Sequence, residues 1–196
     1  MRLPTAGLRL IFPALLILAA LSNAACSRPP GLFSEPNARA HVNMLAGTIG
    51  SRPIGTPANL KARSYIVEQL RLYGYDVRVQ GADARRAAIG LTARVSNIIA
   101  IRPGRRSESI GLLSHYDSVP SGPGAADDGL GVAVSLEAAR VLAARADRNW
   151  SVMVLITDGE EAGLLGATAL VTDREVTGRL QAYVNIEAIG SAGTES

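Results

Sequence analysis

The chain has 196 residues, of which 47% are apolar and 4% aromatic, and its net charge at pH 7 is +3. That is long enough for one domain with a substantial core, and too apolar for an intrinsically disordered chain. Its arginines are scattered apart from Arg85-Arg86 and Arg105-Arg106, which read as solvated loop charge and not as a nucleic-acid surface; its one cysteine excludes an intrachain disulfide framework and a cysteine-based zinc site.

The N-terminus reads as an address. Arg2 and Arg9 precede an apolar run from Leu10 to Leu21, which is short for a bilayer span and interrupted by Pro13. Ser22-Asn23-Ala24 then offers small residues for cleavage, so residues 1–25 are expected to be a secretory signal peptide or an N-terminal anchor. Cys26 follows Ala24-Ala25, the setting of a lipidated bacterial cysteine, although Asn23 stands where a lipobox prefers an aliphatic residue. In each case the working domain lies outside the cytoplasm: periplasmic, secreted or membrane-anchored. Residues 26–36 form a Pro-rich linker, and 37–196 the domain.

Helical spacing covers Ala38 to Ala46, with His41 expected as a surface or second-layer histidine because no carboxylate cluster accompanies it. The loop Gly50 to Pro57 is irregular. Asn59 to Tyr73 is a helix whose apolar stripe is Leu60, Tyr65, Ile66, Leu70 and Tyr73, and Gly74 ends it. Asp76 to Gln80 alternates as a strand, Gly81 to Gly90 reads as a turn, and Ala93 to Arg102 is the next strand. Ser109 to Ser114 is a strand that delivers His115. Leu130 to Ala144 and Gly163 to Val171 are helices, Ser151 to Thr157 is an apolar strand buried on both faces, and Ala182 to Ile189 is a last strand carrying Glu187. Strands alternating with helices predict an α/β fold with a mainly parallel sheet between helical layers.

The groups that could do chemistry gather between Gly111 and Gly166, joined by Glu187. His115 and Asp117, two apart on an extended chain, point the same way, so the carboxylate can hold the imidazole's second nitrogen. Asp127-Asp128 follows a small, Gly-rich loop, SGPGAA, suited to folding back toward His115. Asp127 alone could also serve as an N-cap. Glu160-Glu161 ends a buried strand, where paired carboxylates repel unless a cation sits between them. One glutamate can bind metal while its neighbour serves as a base. One imidazole with several carboxylates suits a divalent ion, zinc first.

The stretches SHYDSVPSGPGAADDGLGVA and TDGEEAGLLGA, with RPIGTPANLKARSYIVEQLRLYGYDV upstream, resemble metallopeptidase family 28, the co-catalytic di-zinc aminopeptidases and carboxypeptidases. The resemblance runs from about Asn37 to Gly193. It implies a three-layer α/β/α fold of the zinc-peptidase kind with a mostly parallel, mixed central sheet. It implies a zinc-dependent aminopeptidase with two Zn2+ ions, acting on a peptide with a free N-terminus. His115 would bind one zinc, oriented by Asp117; Asp127 would bridge both ions, with a cis bond to Asp128. Glu160 would be the general base and acid, and Glu161 would complete the second ion's partner set. Glu187 would supply another metal oxygen, at a position where most relatives carry Asp. The family's second zinc takes one more histidine downstream of the Glu187 position, so the resemblance also implies a chain truncated before that residue, with the C-terminal part of the fold missing. Three alternatives stand beside the peptidase: a single-zinc glutaminyl-cyclase-type acyltransferase, a non-catalytic peptidase-like ectodomain, or a fragment.

Overall fold

The computed structural model describes residues 31–188. The expected leader, Cys26, and the end of the last expected strand at Ile189 lie outside the described residues.

The element with the simplest physics sits at the centre. β4, Ser151–Thr157, is a seven-residue run in which every position is buried. Its alternate side chains enter two different cores: Val152, Val154 and Ile156 on one face, Met153 and Leu155 on the other. Each such side chain contributes about 1.5–3 kcal/mol by leaving water. β3, Ser109–His115, pairs parallel to β4, and β5, Leu180–Asn185, pairs parallel to β3. On the other side β2, Leu91–Arg102, runs antiparallel to β4, and β1, Asp76–Arg86, antiparallel to β2. The sheet order is β1-β2-β4-β3-β5. Four strands therefore point one way and β2 the other, while the neighbour pairings divide evenly between parallel and antiparallel. The sheet is mixed, as expected, but parallel pairing is confined to the β4-β3-β5 half.

Helices cover both faces, giving three layers. On one face lie α1, Glu35–Val42, α2, Pro57–Leu72, and α3, Leu130–Ala143, whose Leu70, Val132, Leu136 and Ala139 pack with β2 and β4. On the other lie α4, Leu165–Leu170, and α5, Arg174–Arg179, with Leu170 and Val176 against Ile99, Met153 and Leu155. α2 begins as its sequence dictates: Thr56 caps it by accepting the Asn59 N–H at 3.2 Å, with Pro57 in the first turn.

Four local expectations are corrected. Residues 81–86 do not turn. They continue β1 opposite β2 as a long hairpin, closed by a short turn at Ala87–Ile89, because antiparallel pairing satisfies the backbone of even a polar segment. α1 ends at Val42 and widens into a π-type turn over Asn43–Ile49. Leu60 is exposed; the buried face of α2 is Asn59, Ala62, Ile66, Val67 and Leu70. α5 has no counterpart in the sequence reading, since REVTGR is polar and only Val176 is buried.

Candidate metal centre

Because β3, β4 and β5 are adjacent and parallel, their C-terminal ends share one edge of the sheet, where α/β proteins build their sites. β3 ends in His115, β4 is followed by 158–161, and Glu187 stands two residues beyond β5. His115 is 1% exposed. Its Nε2 lies 3.0 Å from Asp127 Oδ1, 3.1 Å from Glu187 Oε1 and 3.9 Å from Glu160 Oε2. Its Nδ1, fully buried, lies 3.3 Å from Asp117 Oδ1 but off the line of a hydrogen bond.

Asp117 does more than face the imidazole. Its two buried oxygens accept the N–H groups of Glu160 and Glu161 at 3.0 and 3.1 Å. One carboxylate thus ties the loop after β4 to the end of β3. Asp158, the other acid of that loop, is turned inward. It accepts Asn59 Nδ2 at 2.9 Å and the Ser96 N–H at 3.0 Å, and takes no part in the cluster. Between them Gly159 adopts φ 69°, with Ile54 Cδ1 2.7 Å from where a Cβ would stand, so the reversal from inward Asp158 to outward Glu160 suits glycine.

The Asp127-Asp128 pair divides its labour in a way the sequence left open. The peptide bond between them is cis, as the resemblance implied. Asp128 is fully buried and takes the capping role considered for Asp127. Its oxygens accept the Gly131 N–H and the His115 N–H, each at 3.0 Å. Burial pushes its carboxyl up to about 7, against the pull of the His115 backbone N–H. Asp127, its side chain 52% exposed, is left free to face Nε2 of His115.

The electrostatics call for a cation. Burial alone lowers the His115 pKa, but the carboxylates of Asp117, Asp128 and Glu187 overcome it and push the imidazole up to about 10. Glu160 is raised by burial and by Glu187, Asp117 and Asp127, with His115 pulling the other way. One imidazole nitrogen between two carboxylates can donate only one hydrogen, so the arrangement is better satisfied by a metal than by a proton. Ligand atoms of His115, Asp127 and Glu187 all lie within 4.8 Å of one another. In a tetrahedral zinc site with bonds of about 2.0–2.2 Å, ligand atoms stand roughly 3.4 Å apart. The observed 3.0 and 3.1 Å fit that spacing after a small adjustment. The donor set, one nitrogen and two carboxylates, fits zinc chemistry as well.

Residues 97–196 match the sequence profile of peptidase family M28. The chain belongs to peptidase family M28. This M28 chain is 30% identical over 200 residues to mouse endoplasmic reticulum metallopeptidase 1, covering 92% of itself and 22% of that protein. It is 38% identical over 100 residues to the vacuolar membrane protease of Saccharomyces cerevisiae, covering 50% of itself and 10% of the other. It therefore spans less than a quarter of the length of these curated relatives. Among solved structures it resembles glutaminyl cyclase from Porphyromonas gingivalis with a TM-score of 0.74 and 27% identity, over 82% of this chain and 61% of that one. A Zn-dependent exopeptidase from Parabacteroides distasonis shares the fold, with a TM-score of 0.72 at 22% identity over 83% of this chain and 64% of the other.

Of the sequence-predicted residues, the M28 fold brings His115, Asp127 and Glu187 into one group, with Glu160 beside it and Asp117 behind it. Glu161 does not join that group; its backbone is held by Asp117. His41 is buried at 5%, not on the surface, and lies in a separate network. Two roles went unforeseen: that of Asp128, whose buried carboxylate shapes the turn, and that of Arg52, fully buried in the loop read as irregular.

Proposed function

We propose that this chain carries the catalytic region of a zinc-dependent exopeptidase, an aminopeptidase acting on peptides with a free N-terminus. The observation that carries this reading is the convergence of His115, Asp127 and Glu187 with Glu160 3.9 Å from the same imidazole nitrogen. Bound zinc supplies a Lewis acid for the scissile carbonyl and acidifies a nearby water. Glu160 accepts the proton of the attacking water and returns it to the leaving amine. Burial and the neighbouring carboxylates raise its carboxyl above the ordinary glutamate range, with His115 opposing, which is the direction that favours accepting a proton. Asp117 keeps His115 and the Glu160-Glu161 backbone in register. If a second zinc ion is held, Asp127 and Glu161 are the residues that would help to hold it. Residues 37–196 serve as the peptidase domain, preceded by a linker at 26–36 and a leader or anchor at 1–25. A location outside the cytoplasm, reached through that leader or a lipidated Cys26, agrees with relatives named for the endoplasmic reticulum and the vacuolar membrane.

A second reading is supported by the likeness to the P. gingivalis glutaminyl cyclase: acyl transfer with loss of ammonia at an N-terminal glutamine. Products separate the two. The zinc-loaded chain is expected to release the amine from leucine or alanine p-nitroanilide and no ammonia from a Gln-initiated peptide. Glu160→Gln should lower turnover by about 100-fold or more while zinc content stays the same. Retained turnover sinks the base assignment, and ammonia release without amide hydrolysis replaces peptidase with cyclase.

A further inference from the structure

Arg52 has none of its surface exposed, yet its hydrogen bonds among the described residues reach no carboxylate. That is unusual for a guanidinium, which is normally buried against an acid. Its Nε donates to the carbonyl of Tyr116 at 2.6 Å, Nη2 to that of Gly124 at 2.9 Å, and Nη1 to those of Pro123 and, at 3.4 Å, Gly50. Its own N–H donates to Ser118 Oγ at 3.0 Å, and that hydroxyl in turn donates to Gly122 O at 3.1 Å. The adjacent Ser51 Oγ adds contacts to Val119 O and Pro120 O at 3.1 and 3.0 Å.

These acceptors, apart from Gly50, belong to one segment: the loop that leaves His115 and returns with Asp127. The loop has no strand or helix of its own between His115 and Ala125. Gly124 O also accepts the Gly129 N–H at 3.0 Å, so one carbonyl held by Arg52 closes the turn on both sides of Asp127-Asp128. The packing leaves no slack. A Cβ on Gly124 would stand 2.7 Å from Ser118 Cβ and 2.5 Å from Asp127 O. Burial lowers the Arg52 pKa, and the nearby carboxylates of Asp117, Asp128 and Glu161 oppose that without outweighing it.

We propose that Arg52 is a positioning residue of the metal centre, clamping the 116–124 loop so that Asp127 stands at ligating distance from His115. The inference rests on the metal-centre reading above. It has a sign that separates it from plain electrostatics. Arg52→Met removes a positive charge near the carboxylate cluster, which by Coulomb attraction alone would tighten cation binding. If the clamp is what matters, zinc binding weakens instead. Arg52→Lys keeps the charge and loses the fork, isolating geometry.

The test is the zinc dissociation constant of the full chain, by competition with a chromophoric chelator, with the fold of each metal-free variant checked by circular dichroism. Both Arg52 variants are expected to bind zinc roughly 10–100-fold more weakly than the parent, the range of partners that act through a ligand. Ser118→Ala, which removes one tie and leaves the guanidinium in place, is expected to shift the constant the same way by less; it decides the matter if the Arg52 variants do not fold. Affinity within about twofold of the parent in a folded Arg52 variant, or in Ser118→Ala where those do not fold, overturns the inference, as does tighter binding by Arg52→Met. A parent chain that binds no zinc overturns the metal-centre reading and this inference together, whereas a parent that binds and variants that match it overturn the clamp alone.

Discussion

The two histidines of this chain are buried almost equally, 5% for His41 and 1% for His115, and their chemistry is opposite. His41 sits between hydroxyls. Tyr65 Oη is 2.5 Å from Nδ1, and Tyr73 Oη is 3.2 Å from Nε2 and 3.4 Å from Gln69 Oε1. All three groups are satisfied if Tyr65 donates to Nδ1, Nε2–H donates to Tyr73, and Tyr73 donates to Gln69. That chain needs a neutral imidazole. Burial lowers the His41 pKa, with Glu137 opposing, and pushes Tyr65 up to about 12, so the phenol keeps its proton. His115 has carboxylates on both sides and is pushed up to about 10. Burial sets a cost for charge in both places; the neighbours decide whether the site rejects a cation or demands one.

The largest expected effect breaks the pair apart. His115→Ala should weaken zinc binding by more than about 100-fold, beyond the loss typical of partners behind the ligands. His41→Ala should leave zinc affinity unchanged; equal losses in the two variants, measured by chelator competition, would end the distinction. Next in size, Asp117→Asn leaves a single acceptor oxygen for two backbone N–H groups and removes the charge behind His115. Zinc affinity should fall about 10–100-fold with the fold intact, and an unchanged constant would mean that Asp117 holds the loop without serving the site. His41→Ala should instead cost stability. Two partly buried tyrosine hydroxyls lose a partner, worth roughly 0.5–1.5 kcal/mol in urea unfolding of the metal-free chain. A variant as stable as the parent would show the hydroxyl network to be idle.

The smallest effect is the sharpest in sign. In the metal-free chain His115 has a folded-state pKa above its ordinary 6.5, so its stabilisation is fully present below that value and lost as pH rises through about 10. His41 has a lowered pKa, so the unfolded chain binds the proton more readily. Its contribution is present above 6.5 and lost as pH falls below it. Comparing variants with the parent cancels the titrating groups that interact with neither histidine. His115→Ala should flatten the alkaline arm of the stability profile and His41→Ala the acid arm; the reverse pattern in unfolding midpoints would show that the two sites are misassigned. Zinc binding to the parent should tighten as pH rises from 7 toward 10, because the ion displaces the His115 proton.

Much of this was legible because it is local. The all-buried β4 follows from an unbroken apolar run, and the pairing of His115 with Asp117 from the two-residue period of extended chain. The contrast between the histidines was legible too, since Asp117, Asp127 and Glu160 accompany one and no carboxylate cluster the other. Less local features were not. The hairpin through residues 81–86 depends on pairing with β2, which no propensity of Gly81 or Asp83 announces. Arg52 carries no periodic signal, and its carbonyl partners at Tyr116 and Gly124 lie 64 and 72 residues away.

By itself the sequence determined the inventory: an apolar strand periodicity, a small-residue loop of fixed length after His115, and enough carboxylates near one imidazole to require a cation. Tertiary structure decided the assignment of roles within it. Asp127 faces the imidazole because Asp128 is consumed by the N–H groups of Gly131 and His115. Glu187 joins the candidate ligand group because β5 lies parallel beside β3 and ends at the same edge, while the Glu161 backbone is held against Asp117. The reason is one of reach: side chains of a given type are interchangeable in sequence, and only the backbone donors and strands beside them determine which carboxylate is satisfied internally and which is left to bind.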